Sequence, residues 1–224
     1  WDISGNKPVY IPYVALDLWG TGFQTAFWAT IPLDRDFKSY DDYEFLLKYS
    51  NNISSGLFKE ISINGFIDYI RVPGPEADHR PILNDDLTYT SQTGLKQLWK
   101  MNIGISLPKL LPIGNYNLVP AYNIYYISPA GDTYFRAGSV HDISLSYSRP
   151  LCKRVDLNLS GNVFYHYRLF DVNAWGGAVA STSLSFKINK NLSFNTQIHY
   201  QETLSEDVNS ENEFWGGAGL AISL

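Results

Sequence analysis

The chain has 224 residues, a net charge of −5 from 17 basic and 22 acidic side chains, and 45% hydrophobic residues that include 16 Tyr, 12 Phe and 6 Trp against 1 Met and 1 Cys. That balance offers no basic footprint, so nucleic acid is excluded as a partner, and a single Cys152 excludes an internal disulfide or a cysteine-based zinc site. Aromatic residues rich in this proportion suit strands and lipid–water interfaces rather than helices.

Taken in chain order, eleven stretches alternate apolar and polar residues at a period of two, the mark of strands with one greasy and one polar face. The first places Val14, Leu16 and Leu18 on the greasy face, and the second Phe23, Phe27, Ala29 and Ile31. Tyr13 and Trp28 fall on the opposite, inner parity, which makes these two the least regular. The third carries Tyr43, Phe45, Leu47 and Tyr49, the fourth Ile61, Ile63, Ile67 and Tyr69, and the fifth Trp99, Met101, Ile103, Ile105 and Leu107.

Leu110 to Gly131 is uncharged and long enough to suggest a membrane helix. Its Pro112, Pro120 and Pro129 argue otherwise, at about 3 kcal/mol per interior proline, so it reads as a turn followed by a strand. That sixth strand carries Leu118, Tyr122, Ile124 and Tyr126 outward, and the seventh Ile143, Leu145 and Tyr147. The eighth, Val155, Leu157, Leu159, Val163, Tyr165 and Tyr167, is the most regular. The ninth shows Ala178, Ala180, Leu184, Phe186 and Ile188, the tenth Leu192, Phe194, Ile198 and Tyr200, and the last Phe214, Gly216, Ala218, Leu220, Ile222 and Leu224.

No second set of sheets and no core helix is available to cover these greasy faces, so hydrocarbon is their simplest solvent. The expected fold is all-β: a transmembrane up-and-down antiparallel β-barrel, one domain over residues 1–224. A soluble barrel would instead hide apolar residues inside. The opposite parity carries Glu44, Lys48, Glu60, Asn64, Asp68, Lys100, Asn102, Asn123, Asp142, Asn158, Asn162, His166, Arg168, Lys187, Asn195, Gln197, His199 and Gln201, too many charges and amides for a dry core and suited to a lumen. Lys48, Lys100, Arg168 and Lys187 could oppose Glu44, Glu60, Asp68 and Asp142, either setting the field of a pore or pairing to plug it.

Connections alternate as well. Short ones such as Trp19-Gly20-Thr21-Gly22 and Asn189-Lys190-Asn191 interleave with long polar ones at 33–42, 72–93, 168–176 and 202–213, the asymmetry of outer-membrane barrels. Single-chain bacterial barrels use an even strand number. Eleven strands therefore imply a parent of about twelve, with a first strand before Trp1 or an extra one hidden in Val72 to Thr93. Trp175-Gly176-Gly177-Ala178 recurs as Trp215-Gly216-Gly217-Ala218. Both copies open a strand below an outer loop, so Trp175 and Trp215 are expected to ring the mouth, as aromatics of a lumen entrance or of an ordinary girdle.

Little here points to catalysis. There is no phosphate loop, GxSxG elbow or HExxH pattern, and His79, His141, His166 and His199 lack ligand spacing, so no metal or cofactor is expected. The one enzymatic candidate is Ser139-Val140-His141, whose Ser and His share the lipid-facing parity near the outer rim. Outer-membrane phospholipases place such a pair there, but in the order His-x-Ser. Asn123 is the nearest polar neighbour to serve as an orienting group, though its parity points inward.

Gly5-Asn6-Lys7-Pro8-Val9, Gly22-Phe23 with Trp28, and Asp68-Tyr69 followed by Pro73-Gly74 together resemble the N-terminal half of the Gcw_chp family of uncharacterised bacterial outer-membrane proteins. The resemblance spans roughly Trp1 to Gly74. It implies an outer-membrane location in a Gram-negative bacterium and a strand preceding the Gly-Asn-x-Pro stretch, and it implies no substrate. Leu224 departs from the final Phe usual in such barrels. The leading expectation is a non-enzymatic, porin-like channel whose partners are the outer-membrane lipid bilayer and small polar solutes. A non-conducting scaffold or surface-binding barrel is the alternative, and a lipid-modifying enzyme a lesser one.

Overall fold

The computed structural model describes residues 9–33, 42–71, 97–130, 136–169, 171–209 and 211–222. Thirteen strand segments form one antiparallel sheet: β1 (Val9–Tyr10), β2 (Tyr13–Asp17), β3 (Phe23–Pro32), β4 (Asp42–Ser55), β5 (Lys59–Arg71), β6 (Gln97–Ser106), β7 (Leu111–Ile113), β8 (Tyr116–Pro129), β9 (Gly138–Cys152), β10 (Val155–Leu169), β11 (Val172–Lys187), β12 (Leu192–Thr203) and β13 (Glu213–Ile222). With β1 and β2 taken as one span, and β6 and β7 as another, each span pairs with its sequence neighbour, so the topology is up-and-down.

The thirteen segments reduce to eleven spans, because β1 and β2 both pair with β3, and β6 and β7 both pair with β8. Each split falls at a proline. Pro12 and Pro108 have no N–H to give to a ladder, and the backbone bonds beside them are Ala29 N to Pro12 O at 3.3 Å and Leu107 N to Pro120 O at 3.0 Å. Among the described residues no pairing joins β13 to the first span. Val72 to Thr93 lies outside the described residues.

Leu110 to Ala130, the described part of that stretch, resolves into β7, a turn at Gly114-Asn115 and β8. Gly114 takes a φ of 60°, which a side chain would resist. The connections at one end of the sheet are short: 18–22, 56–58, 114–115, 153–154 and 188–191. At the other end the connection between β12 and β13 is longer, 204–212, while 34–41 and 72–96 lie outside the described residues.

One expected long connection is absent. Arg168 to Gly176 is not a loop, since β10 runs to Leu169 and β11 starts at Val172. A tight reversal replaces it, with left-handed φ at Arg168 (56°) and Asp171 (63°). Asp171 N donates to Arg168 O at 3.2 Å, and Arg168 N donates to Asn173 Oδ1 at 3.1 Å. Asn and Asp stabilise such reversals through their own side chains, so polar composition here signals a turn rather than length.

The register slips twice along this hairpin, between Phe164 and Tyr165 and between Tyr167 and Leu169. The first slip leaves Gly176 as the extra residue: Phe164 pairs with Gly177, and Tyr165 with Trp175. A Cβ on Gly176 would lie 2.3 Å from Phe164 Cε2 and 3.0 Å from His166 Cδ2. Both rings are buried. Gly176→Ala should therefore destabilise the fold by about 1–3 kcal/mol, the usual range for overpacking, as read by urea denaturation. A neutral result would mean that Phe164 can swing away.

Candidate functional site

The two faces of the sheet differ in kind. On the convex face Phe27, Phe45, Ile63, Ile67, Met101, Ile103, Ile105, Ile124, Ile143, Leu145, Leu159 and Ile198 are all exposed. Aromatic residues collect at both ends of that face. Tyr43, Tyr69, Trp99, Tyr126, Tyr165, Tyr167 and Trp175 mark the long-loop end, with Tyr69 packed 4.8 Å from Trp99 and Tyr165 5.5 Å from Trp175. Phe23 and Tyr49 (4.7 Å), Tyr116 and Tyr147 (6.2 Å), and Phe186 and Phe194 (6.0 Å) mark the other. Tyr116 and Tyr126 lie ten residues apart on β8. At a strand rise of about 3.3 Å and a tilt of about 40°, that separates the girdles by roughly 25 Å, the height of the apolar band of a membrane barrel.

The concave face carries the polar parity. Cross-strand register places Ser50, Asn64, Gly104, Asn123 and Asp142 in one row over β4, β5, β6, β8 and β9. Gly104 leaves the space into which Asn64 and Asn123 lean: a Cβ there would meet both Oδ1 atoms, at 2.3 and 2.0 Å. Asn162 Nδ2 donates to Asp142 Oδ2 at 2.5 Å, and Asn102 Nδ2 to Ile124 O at 3.3 Å. Asp68 is fully buried, with Lys100 Nζ 3.4 Å from Oδ2 and 5.5 Å above the Phe66 ring. Glu44, His166 and Gln201 are buried on the same face.

The short-turn half of this wall is nearly uncharged. Ser148 Oγ donates to Asn158 Oδ1 (2.7 Å), and Asn158 Nδ2 donates to Ser183 Oγ (3.3 Å). Ser181 Oγ and His199 Nδ1 are 2.7 Å apart, and the His199 ring stacks on Trp215 at 5.1 Å and 14°. Asn117, Ser146, Ser148, Asn158, Ser160, Ser181, Ser183, Gln197 and His199, with Pro108, Tyr116, Val119, Tyr147 and Leu159 among them, line a cavity of about 550 Å³. Below it two ion pairs lie at the rim, Lys187 with Asp156 at 2.6 Å and Lys109 with Glu60 at 2.5 Å.

Of the anticipated oppositions, Lys100–Asp68 is formed, while Glu60 and Lys187 take partners that sequence reasoning had not singled out. The serines of the cavity were also missed. Their signal is the alternation Ser144, Ser146, Ser148 on β9 and Ser181, Ser183, Ser185 on β11.

Two placements correct the sequence reading. Arg168 does not join the inner wall. The second register slip leaves it unpaired, and its guanidinium lies over the outward Tyr167 ring at 5.3 Å. Trp175 and Trp215 do not share a face: the bulge at Gly176 turns Trp175 outward onto Tyr165, whereas Trp215 stays inward on His199.

On the convex face at the long-loop end, Ser139 Oγ lies 3.1 Å from His141 Nε2, and His141 Nδ1 lies 2.7 Å from Tyr122 Oη. The histidine's partner is thus Tyr122 rather than Asn123, whose amide belongs to the inner row. Among the described residues no group of three or more His, Cys, Asp or Glu side chains gathers at metal-binding distance.

The sequence matches no family model and no curated protein, so the likeness to Gcw_chp rests on its short motifs alone. The structure is similar to that of NanC porin, with a TM-score of 0.57 and 9% identity over 96% of this chain and 94% of that one. The chain has a porin-type antiparallel β fold. At this identity the likeness establishes the fold and says nothing of what passes or binds.

Proposed function

We propose that the chain is a bacterial outer-membrane channel through which small polar solutes pass by diffusion. The observation that carries this reading is the hydroxyl- and amide-lined cavity on the concave face of a sheet whose convex face is apolar between two aromatic girdles. Girdles of Tyr and Trp sit where hydrocarbon meets headgroups, and a band of this height fits an outer membrane. The porin-type fold supports the same conclusion.

The wall chemistry narrows the cargo. A solute crossing the lower half exchanges hydrogen bonds with Ser, Asn and Gln, and no charged side chain lines the cavity itself. Neutral or weakly charged hydrophilic molecules suit such a wall.

Purified, refolded full-length protein in a planar bilayer should give discrete conductance steps with weak ion selectivity. Vesicles carrying it should swell in neutral sugars small enough to enter. A folded preparation silent at every voltage and salt concentration, in vesicles that do not swell, would rule the channel out.

A further inference from the structure

We infer that the convex face carries a second site, a hydrolase centre for lipid esters built from Ser139, His141 and Tyr122. It lies on the opposite side of the wall from the cavity and does not depend on conduction.

The geometry is that of an activated nucleophile: a hydroxyl within hydrogen-bond reach of a histidine, whose other ring nitrogen is held by a third group. With the ring proton on Nδ1, His141 donates to the Tyr122 oxygen (2.7 Å), which leaves Nε2 to accept from Ser139 Oγ–H (3.1 Å). Tyr122 is a positioning residue here, fixing tautomer and ring plane. The arrangement is fixed by the β8–β9 register. His141 is held between Ile124 of β8 and Tyr165 of β10 by register, and its ring packs 6.2 Å from Tyr122 and 6.5 Å from Tyr165.

Position names the substrate class. Ser139 stands directly across from Tyr126 on one side and Tyr167 on the other, two members of the long-loop girdle. A girdle marks the level of the lipid–water interface, and the acyl esters of membrane lipids lie at that level. Such an ester arrives laterally from the bilayer without leaving it. The Arg168 guanidinium, placed over Tyr167, adds a cation at the same rim, suited to the phosphate of that lipid's headgroup.

The step balances with water as co-reactant. Ser139 Oγ attacks the ester carbonyl carbon while its proton passes to His141 Nε2. The carbon–oxygen bond to the lipid alcohol breaks, and that alcohol leaves with the proton from Nε2. Water, deprotonated by His141, then cleaves the acyl-serine, releasing the fatty acid and restoring the hydroxyl.

The test uses full-length protein refolded into phosphatidylcholine–phosphatidylethanolamine vesicles doped with a fluorogenic acyl ester lipid. Wild type should release fatty acid, and a long-chain alkyl fluorophosphonate should modify Ser139. Ser139→Ala should lose both, and His141→Ala should slow both by roughly 10²–10⁴-fold, the usual contribution of a general base. Tyr122→Phe should slow release and change its pH profile, which a merely structural hydroxyl would leave unmoved. Conductance of Ser139→Ala should match wild type, which separates this centre from the channel. Folded wild type that releases no fatty acid, or release that survives Ser139→Ala, would overturn the proposal.

Discussion

Lys100→Met should destabilise the folded protein by about 3–5 kcal/mol, the usual cost of leaving a buried charge without its partner. Asp68 is 0% exposed on the concave wall, Lys100 Nζ lies 3.4 Å from its Oδ2, and no hydrogen-bond donor among the described residues reaches either carboxylate oxygen. The ammonium is thus the main compensation for a carboxylate taken out of water. It is itself 30% exposed and also sits over the Phe66 ring, so the loss falls mostly on Asp68. The double replacement Asp68→Leu with Lys100→Met removes both charges together and should lie within about 1 kcal/mol of wild type, because apolar isosteres often match a buried pair. Urea denaturation in vesicles, followed by tryptophan fluorescence, completes the cycle. A single Lys100→Met variant as stable as wild type would show that Asp68 is hydrated in the fold.

Ile103→Arg should destabilise by about 2–4 kcal/mol in a bilayer, the cost measured for a basic residue at the midplane of a membrane barrel. Ile103 is 73% exposed on the convex face. It lies four residues below Trp99 on β6, roughly 10 Å beneath the girdle at the same rise and tilt, and so near the middle of the band. Gln197→Arg supplies the control. Gln197 is exposed toward the cavity, where water can solvate the new charge, so stability should change by about 0.5 kcal/mol or less while ion selectivity shifts toward anions. A water-soluble sheet would reverse the ranking, tolerating arginine at Ile103 and resisting it at Gln197. The comparison therefore tests which face meets hydrocarbon, by a route independent of conductance.

The period-two pattern carried most of the fold, for a physical reason. In a sheet whose two faces meet different solvents, a strand cannot change parity without exposing every residue to the wrong one. The parities read for β4, β5, β6, β9 and β10 hold along their paired lengths, from Phe45 through Ile67, Met101 and Ile143 to Val163. The reading failed where an extra residue enters one strand only. The slips at Gly176 and Arg168 depend on what the partner strand presents, here the Phe164 ring and the Asn173 side chain, and no local alternation reveals that. The convex-face centre was half legible for the same reason. Parity placed Ser139 beside His141, but the Tyr122 hydroxyl comes from a neighbouring strand and needs the β8–β9 register to be known. The cavity serines escaped notice because a hydroxyl at strand spacing looks unremarkable until several face one space.

Those serines have a dynamic consequence. A hydroxyl turns about its Cβ–Oγ bond and can offer either a proton or a lone pair, so Ser146, Ser148, Ser181 and Ser183 can exchange the partners they hold for those a solute brings. A molecule sliding along it can trade one partner for the next in small steps, with no deep well to escape. Passage on such a wall favours brief residence over capture, and its speed should respond only mildly to the ionic strength outside.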